Sequence, residues 1–374
     1  MNKPARYGLV MIAKNEAHVI ARALASAIES GVTSYLIHDT GSTDGTQEIA
    51  RGMLRDLVVE VPWVNFAHNR TELLREAREL LGEGGATHLL MLDADDVIEG
   101  RLPAYLDPYR AYSLPVHHSG VVHRRPQIFP VSRCWEYRGA VHEAAICSTP
   151  LADDSEARPL PLKGPIYRVV GGGARSLATA SQKYGADADM LFMEHLADLT
   201  NARCVFYLAQ SYRDAGGMCR ARLWYQRRVE MGGWDEECFY AAYQAALLSP
   251  EETFISEMLS AWEMRPARAE PLVAVAKWCR ARGRWNLGKG MAELALEIAQ
   301  AGAWRKDVLF VETAAHSWSP IDEMAMATFY LGLLRIAKSL NRMLLESPVH
   351  QLPESERPRI EANLEHCNRE IAAL

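Results

Sequence analysis

The hydrophobic pattern changes period once along the 374 residues, and that change divides the chain into two unlike parts. Through the first third, short apolar runs alternate with amphipathic stretches, the order of an α/β layer with parallel strands. The pattern predicts strands at 7–12, 34–39, 57–61 and 88–92, with helices over 17–30, 46–54 and about 70–81. Residues 100–170 are rich in Pro, His and Arg without long periodic stretches, which predicts short strands and functional loops rather than a second core. After Gly171-Gly172-Gly173, read as a hinge or capping turn, helical periodicity runs from about Ala178 to the end. The expected domains are therefore 1–175, α/β, and 176–374, all-α.

Composition narrows the function classes. Lys plus Arg is 41 against 47 Asp plus Glu, a net charge of −6, which argues against tight non-specific binding to polyanions. The seven cysteines contain no Cys-x-x-Cys pair, so reduced, packed thiols are expected and a cysteine zinc site is not. The apolar run Tyr7–Ala13 is closed by Lys14 and Glu16, too short for a signal-peptide core, and no window approaches ~20 uninterrupted apolar residues. A cytoplasmic protein is expected.

The helical part contains a repeat of about 34 residues. Ala209, Tyr212, Ala221 and Tyr225 fit the small and aromatic positions of a tetratricopeptide unit starting near Ala202. The same register places Ala242, Ala245, Met258, Ala261 and Pro266 in a unit starting near Asp235, and Ala276, Cys279, Ala292 and Ala295 in one starting near Ala269. Phe254 and Gly288 stand where Ala is preferred. The tail from Ile321 is expected to cap the stack, and the aromatics Trp224, Tyr225, Trp234, Phe239, Tyr240 and Tyr243 to build its interhelical core.

In open α/β sheets ligands bind beyond the carboxyl ends of the strands, and here those ends are polar. The first strand runs into Lys14-Asn15-Glu16, the second into Asp39-Thr40-Gly41-Ser42-Thr43-Asp44-Gly45-Thr46, and the fourth into Asp93-Ala94-Asp95-Asp96. If the fourth strand stays extended, Asp93 and Asp95 lie on one side about 7 Å apart at ~3.3 Å per residue, close enough to share a divalent cation. A nucleotide lying across this edge would use all three loops.

These segments, in this order and spacing, resemble the nucleotide-sugar domain of family-2 glycosyltransferases of the GT-A fold over roughly residues 5–145. Asn69-Arg70, the stretch Trp135–Glu143 and the helical repeats are similar to the subgroup that couples this domain to tetratricopeptide repeats. The resemblance implies a Rossmann-like mixed sheet and a UDP-sugar donor. It places Asp39 at the base, Glu16 near base or ribose, and Asp93 by ribose and metal, and donor contacts are expected as well from Ala13, Asn15, Gly41, Asn69, Arg70 and Ala94. Asp95 would be the direct ligand of Mn²⁺ or Mg²⁺.

Beyond the resemblance, inverting transfer needs a carboxylate to take the acceptor's proton while cations hold the leaving diphosphate. Glu143 is the expected base and Asp96 its rival. His142 is the expected third metal ligand, because Tyr167-Arg168 stands where some relatives supply a histidine. Arg70 is expected to fork the diphosphate, with Arg124 and Arg125 as lesser candidates.

The function expected is an inverting, metal-dependent transfer of a hexose from a UDP-sugar to a bulky or polymeric acceptor, a peptide or protein before a nucleic acid. Arg203, Arg213, Arg220, Arg222, Arg227 and Arg228 keep a DNA acceptor with a hydroxylated base in play. A non-catalytic nucleotide-binding repeat scaffold is the alternative from another class.

Overall fold

The computed structural model describes residues 3–54, 58–118, 121–141, 143–151 and 153–374. Thirteen strands and thirteen helices are assigned among them. The strands are β1 (Lys3–Pro4), β2 (Tyr7–Ala13), β3 (Val32–Asp39), β4 (Val58–Glu60), β5 (His88–Met91), β6 (Val97–Glu99), β7 (Tyr105–Leu106), β8 (Tyr112–His118), β9 (Val121–Pro130), β10 (Trp135–Arg138), β11 (Ala144–Cys147), β12 (Leu160–Pro161) and β13 (Ile166–Arg168). Four helices accompany them: α1 (Ile20–Ser30), α2 (Thr46–Leu54), α3 (Phe66–Glu83) and α4 (Ala180–Ala197). Contacts divide the chain into two compact units, 1–198 and 199–374.

In the first unit a mixed sheet runs in the order β4-β3-β2-β5-β9-β8-β13-β6, with β12 beside β8. The four strands legible in the sequence are the parallel part, β4-β3-β2-β5. The sheet continues antiparallel through β9, built from the Pro- and Arg-rich stretch that lacks periodicity. Strand alternation explains the layering. From β2, Leu9, Met11 and Ala13 pack with α1 and α2, while Val10 packs on the opposite face with Leu73, Leu74, Ala77 and Leu81 of α3. With both faces covered, the polar loops at the carboxyl ends of β2, β3 and β5 are left as the sheet's exposed working edge.

Local signals set the helix ends. Gly31 terminates α1 in the left-handed region at φ +109°. Asn65 caps α3 by accepting a bond from the His68 amide, and Thr179 with Gln182 forms a capping box at the start of α4.

The second unit is all-helical: α5 (Ala202–Asp214), α6 (Met218–Glu230), α7 (Asp235–Leu247), α8 (Phe254–Met264), α9 (Glu270–Ala281), α10 (Trp285–Ala301), α11 (Ser319–Tyr330), α12 (Leu334–Glu346) and α13 (Arg357–Ala372). The helices starting at Ala202, Asp235 and Glu270 reproduce the expected repeat starts. Ala209, Ala221, Tyr225, Met258, Ala261, Ala276, Cys279, Ala292 and Ala295 are buried. Gly288 has a packing reason: a Cβ there would lie 3.1 Å from the Cβ of Cys279 on the preceding helix. Phe254, the other irregular position, stacks on Trp278 with ring centroids 5.8 Å apart. Ile321, Ala325, Leu340, Leu344 and Ile360 of α11–α13 share a further cluster. Trp234, expected in the core, is instead about half exposed, because it sits in the turn before α7. All seven cysteines are free, and no helix among the described residues is long and apolar enough to cross a membrane.

Candidate active site

The first two loops brace each other. Asn15 takes a positive φ of 57°, a conformation Asn tolerates, and this aims its amide at the Ser42 hydroxyl, 2.8 Å away. Its side-chain oxygen accepts from the Thr43 amide at 2.8 Å. Asp44 accepts from the Ala17 amide at 3.0 Å and from Thr46, and these bonds hold its carboxyl below the usual range although burial opposes them. Asp39 is fully buried. Its Oδ1 accepts from the Gly41 and Ser42 amides and from the Gln47 side chain at 2.8–3.0 Å, whereas its Oδ2 has no partner.

The third loop departs from the extended geometry. Strand β5 stops at Met91 and the chain turns, with the Asp96 amide donating to the Asp93 carbonyl at 3.2 Å. The three carboxylates therefore serve three different environments. Asp93 is taken up by cations: Arg70 donates to it at 2.5 Å, Arg125 at 3.4 Å, and the Tyr167 hydroxyl at 2.9 Å. Burial works to raise its pKa, but the two guanidinium groups outweigh burial and hold it below the ordinary value. Asp96 is buried and accepts from the Val170 and Gly171 amides at 3.0 and 3.4 Å; burial and the neighbouring charges of Asp93 and Asp95 push it up to about 6.

Asp95 faces Glu16. A Cβ placed on Gly173 would lie 2.7 Å from Asp95 Oδ2 and 2.9 Å from Glu16 Oε2, so the two carboxylates converge on the glycine run. The Gly173 amide donates to Asp95 and the Ala174 amide to Glu16, each at 3.2 Å. His18 and Arg22 hold the Gly172 and Gly171 carbonyls. The glycine run is thus a turn laid against the acids. Burial, with the Asp95 charge adding to it and the Ala174 amide opposing, pushes Glu16 up to about 7. Two hard oxygen donors that repel each other fit a divalent cation in their chemistry.

Arg70 donates to both Asp93 and Glu143 while resting over the rings of Phe66 and Tyr137. Asn69 is a loop tie: its amide donates to the Pro62 carbonyl and its oxygen accepts from the Val64 amide, both at 2.9 Å. His142 lies outside the described residues. Among those described, no group of three or more His, Cys, Asp or Glu gathers as a cation site.

A cleft of about 710 Å³ opens over these loops, lined by Ala13, Asn15, Glu16, Thr40, Arg70, Asp93, Ala94 and Asp95 among others. Asp39, Gly41, Asn69, Asp96 and Glu143 are not among the residues that line it, and Asp39, Asn69 and Asp96 are buried. Sequence reasoning missed Tyr167, the aromatic wall of Trp63 and Phe66, and the residues Arg175, Gln182, Lys183 and Asp187. Strand β13 and helix α4, which carry most of these, show no motif, and the notable signal was the glycine run between them.

Residues 9–136 match the profile described as glycosyl transferase family 2. This segment is a family-2 glycosyltransferase domain. It contains β2–β5 and all three acidic loops of the cleft, whereas Glu143, the glycine run and α4 lie beyond it. No match was found among curated proteins. Among solved structures, S. aureus TarS is 13% identical with a TM-score of 0.38, over 69% of this chain and 54% of that one. S. aureus TarS 1–349 in complex with UDP is 14% identical with a TM-score of 0.33, over 69% and 87%. Yeast Tom70 is 13% identical with a TM-score of 0.29, over 52% and 45%. The chain spans about half the length of yeast Tom70 and of the longer TarS structure. These likenesses are loose, and the functional reading rests on the family match and the cleft.

Proposed function

We propose that the glycosyltransferase domain binds a UDP-sugar in this cleft and transfers its hexose, with inversion, to a bulky or polymeric acceptor, a polypeptide. The carrying observation is that the ends of β2, β3 and β5, all within the family-matched segment, converge on one cleft. The unpartnered Oδ2 of Asp39 supports a pyrimidine whose ring N–H donates to it, as uracil's does. Arg70 and Arg175 line the cleft and offer positive charge to a diphosphate.

In the transfer, the acceptor oxygen attacks the anomeric carbon. A new carbon–oxygen bond forms as the bond to the diphosphate oxygen breaks, and the nucleoside diphosphate leaves. Glu143 is assigned the acceptor's proton once the Arg70 fork turns to the incoming diphosphate; Asp96, bonded to two backbone amides, is assigned to loop support. A divalent cation, Mn²⁺ or Mg²⁺, would be held by Asp95 with Glu16 and would neutralise the leaving diphosphate.

The arginines of the first repeat favour a polypeptide over DNA. Arg213 bonds Asp214 and Gln244, Arg222 bonds Glu257, Arg227 bonds Glu230, and Arg228 is buried on Glu237. With these four of the six arginines paired, and Arg203 and Arg220 over the rings of Tyr207 and Tyr212, the set makes a poor phosphate track.

The test is calorimetric titration with UDP, ADP, GDP and CDP, each with Mn²⁺ and with EDTA, on the wild type and on Asp95→Ala. Metal-dependent binding of UDP, lost in the variant, is expected. Failure of all four to bind the wild type would overturn the donor-site reading.

A further inference from the structure

The helical unit holds one long irregular segment, between the end of α10 at Ala301 and the start of α11 at Ser319. Its central residues, 307–312, run along the first helix of each of the three hairpins with a bend at Leu309 and Phe310, and side chains rather than a backbone ladder hold them there. Glu236 of α7 accepts from the amides of Val308 and Leu309, both at 2.8 Å. Arg268, fully buried before α9, donates to the carbonyls of Leu309 and Phe310 at 3.2 and 3.1 Å. Glu270 of α9 accepts from the Glu312 amide at 3.2 Å.

Beside the hydrogen bond between Glu312 and Tyr243 of α7, two side chains of the segment make specific contacts. Asp307 takes a two-bond fork from Arg265, each bond 2.5 Å. Phe310 stacks on Phe206 of α5 and meets the ring of Tyr240 of α7 at a tilt of 38°, with centroids 6.2 and 4.8 Å apart. Val308 meanwhile is 79% exposed and Phe310 44% exposed, and Phe310 adopts a left-handed φ of 45°, where a bulky residue is strained. A segment gripped by its main chain, with an acidic and an aromatic anchor, Leu309 packed on the helices and Val308 in water, is held as a groove holds a peptide.

We propose that residues 307–312 are an intramolecular ligand of this groove, and that the groove binds in trans a peptide bearing an acidic residue followed three positions later by an aromatic one. The buried charges of Arg268, Glu236 and Glu270 decide the class of partner. Left empty, the groove would keep the Arg268–Glu270 pair at 2.7 Å but cost Glu236 its two amide donors, Arg268 the carbonyls it donates to and Arg265 its carboxylate, so the segment leaves by exchange with another chain that offers the same amides, carbonyls and carboxylate. The assignment rests on the helical unit alone and is independent of the donor cleft.

The probe is a fluorescein-labelled peptide of the segment's own sequence, Arg305 to Ala314, added to the full-length protein and followed by anisotropy. The Asp307→Ala/Phe310→Ala variant, with both internal anchors removed, should bind it at least ~10-fold more tightly than the wild type. A peptide with its own Asp and Phe replaced by Ala should bind the variant at least ~10-fold more weakly. A folded variant that binds no better than wild type, or that binds the substituted peptide equally well, would overturn the proposal. Hydrogen exchange on the wild type decides independently should the variant fail to fold. The amides of Val308, Leu309 and Glu312 should exchange well before those of α7 and α9, and exchange in step with those helices would show a fixed structural element instead.

Discussion

Replacing Gly173 with Ala isolates the contact on which the candidate cation site depends. The backbone there is ordinary for any residue, φ −62° and ψ 165°, so stiffening the unfolded chain would by itself stabilise the protein by about 0.4–1 kcal/mol. Against that gain, the new methyl meets Asp95 Oδ2 at 2.7 Å, Glu16 Oε2 at 2.9 Å and Asp95 Cγ at 3.0 Å, all inside van der Waals contact. Glu16 has length to swing away. Asp95 is short, and its own carbonyl is held by Arg22 at 2.7 Å, so it yields mainly by breaking the bond from the Gly173 amide. Overpacking costs roughly 1–3 kcal/mol and the lost charged hydrogen bond roughly 1.5–3, so the steric side wins and the net change is destabilising by about 1.5–5.5 kcal/mol. Gly185, on α4 with open space where its Cβ would stand, is the control: Ala there should stabilise by about 0.5–1 kcal/mol through helix propensity. Urea unfolding compares the two variants, and titration with UDP and Mn²⁺ reads the site. A Gly173→Ala protein as stable as wild type and with unchanged metal-dependent binding would refute the convergence of Glu16 and Asp95 on this turn.

Asp39→Asn keeps an oxygen for the Gly41 and Ser42 amides but puts the wrong group at the free position. UDP affinity should fall at least ~10-fold with little change in melting temperature, and unchanged affinity would remove Asp39 from base recognition. Arg228→Met leaves Glu237 buried and unpaired and should cost about 3–5 kcal/mol in urea unfolding, most of it recovered when Glu237→Leu is added. Acid and base titrations of the helical unit should run in opposite directions. Burial alone would raise Glu270, but His316 and Arg268 bring it down to about 2. Its folded value is depressed from 4.5, so its contribution, on the order of 3 kcal/mol, is present above pH 4.5 and lost as pH falls toward 2. Glu323 is pushed up to about 7 by burial against the opposing Arg280. Its folded value is raised, so stability present below pH 4.5 declines as pH rises through 7. The decline between pH 4.5 and 7 should shrink in Glu323→Gln while the acid limb remains, and a melting-temperature profile identical to wild type would refute it.

What could be read in the sequence follows how locally each feature is determined. Strand β2 is an apolar run of seven residues closed by a polar loop, and the small residues of each hairpin recur near 34, so the sheet's parallel half, the three repeat starts and the polar edge were legible. The antiparallel half was not, because β8 and β9 carry Arg, His and Pro that earn their places only through partners far along the chain, such as Arg125 over the Tyr167 ring and against Asp93. The Asp93–Asp95 pair was misjudged for a definite reason. Extended geometry presumes a ladder, and the last bond of β5 to β2 is from the Leu92 amide to the Val10 carbonyl, which frees the next residues to turn and sends three neighbouring carboxylates to three unrelated sets of donors. The segment 307–312 is the extreme case. Its amides and carbonyls are matched by Glu236, Arg268 and Glu270, residues that in sequence look like ordinary solvated charges. Only burial turns them into a groove, and burial is a property of the assembled repeats that no single repeat encodes.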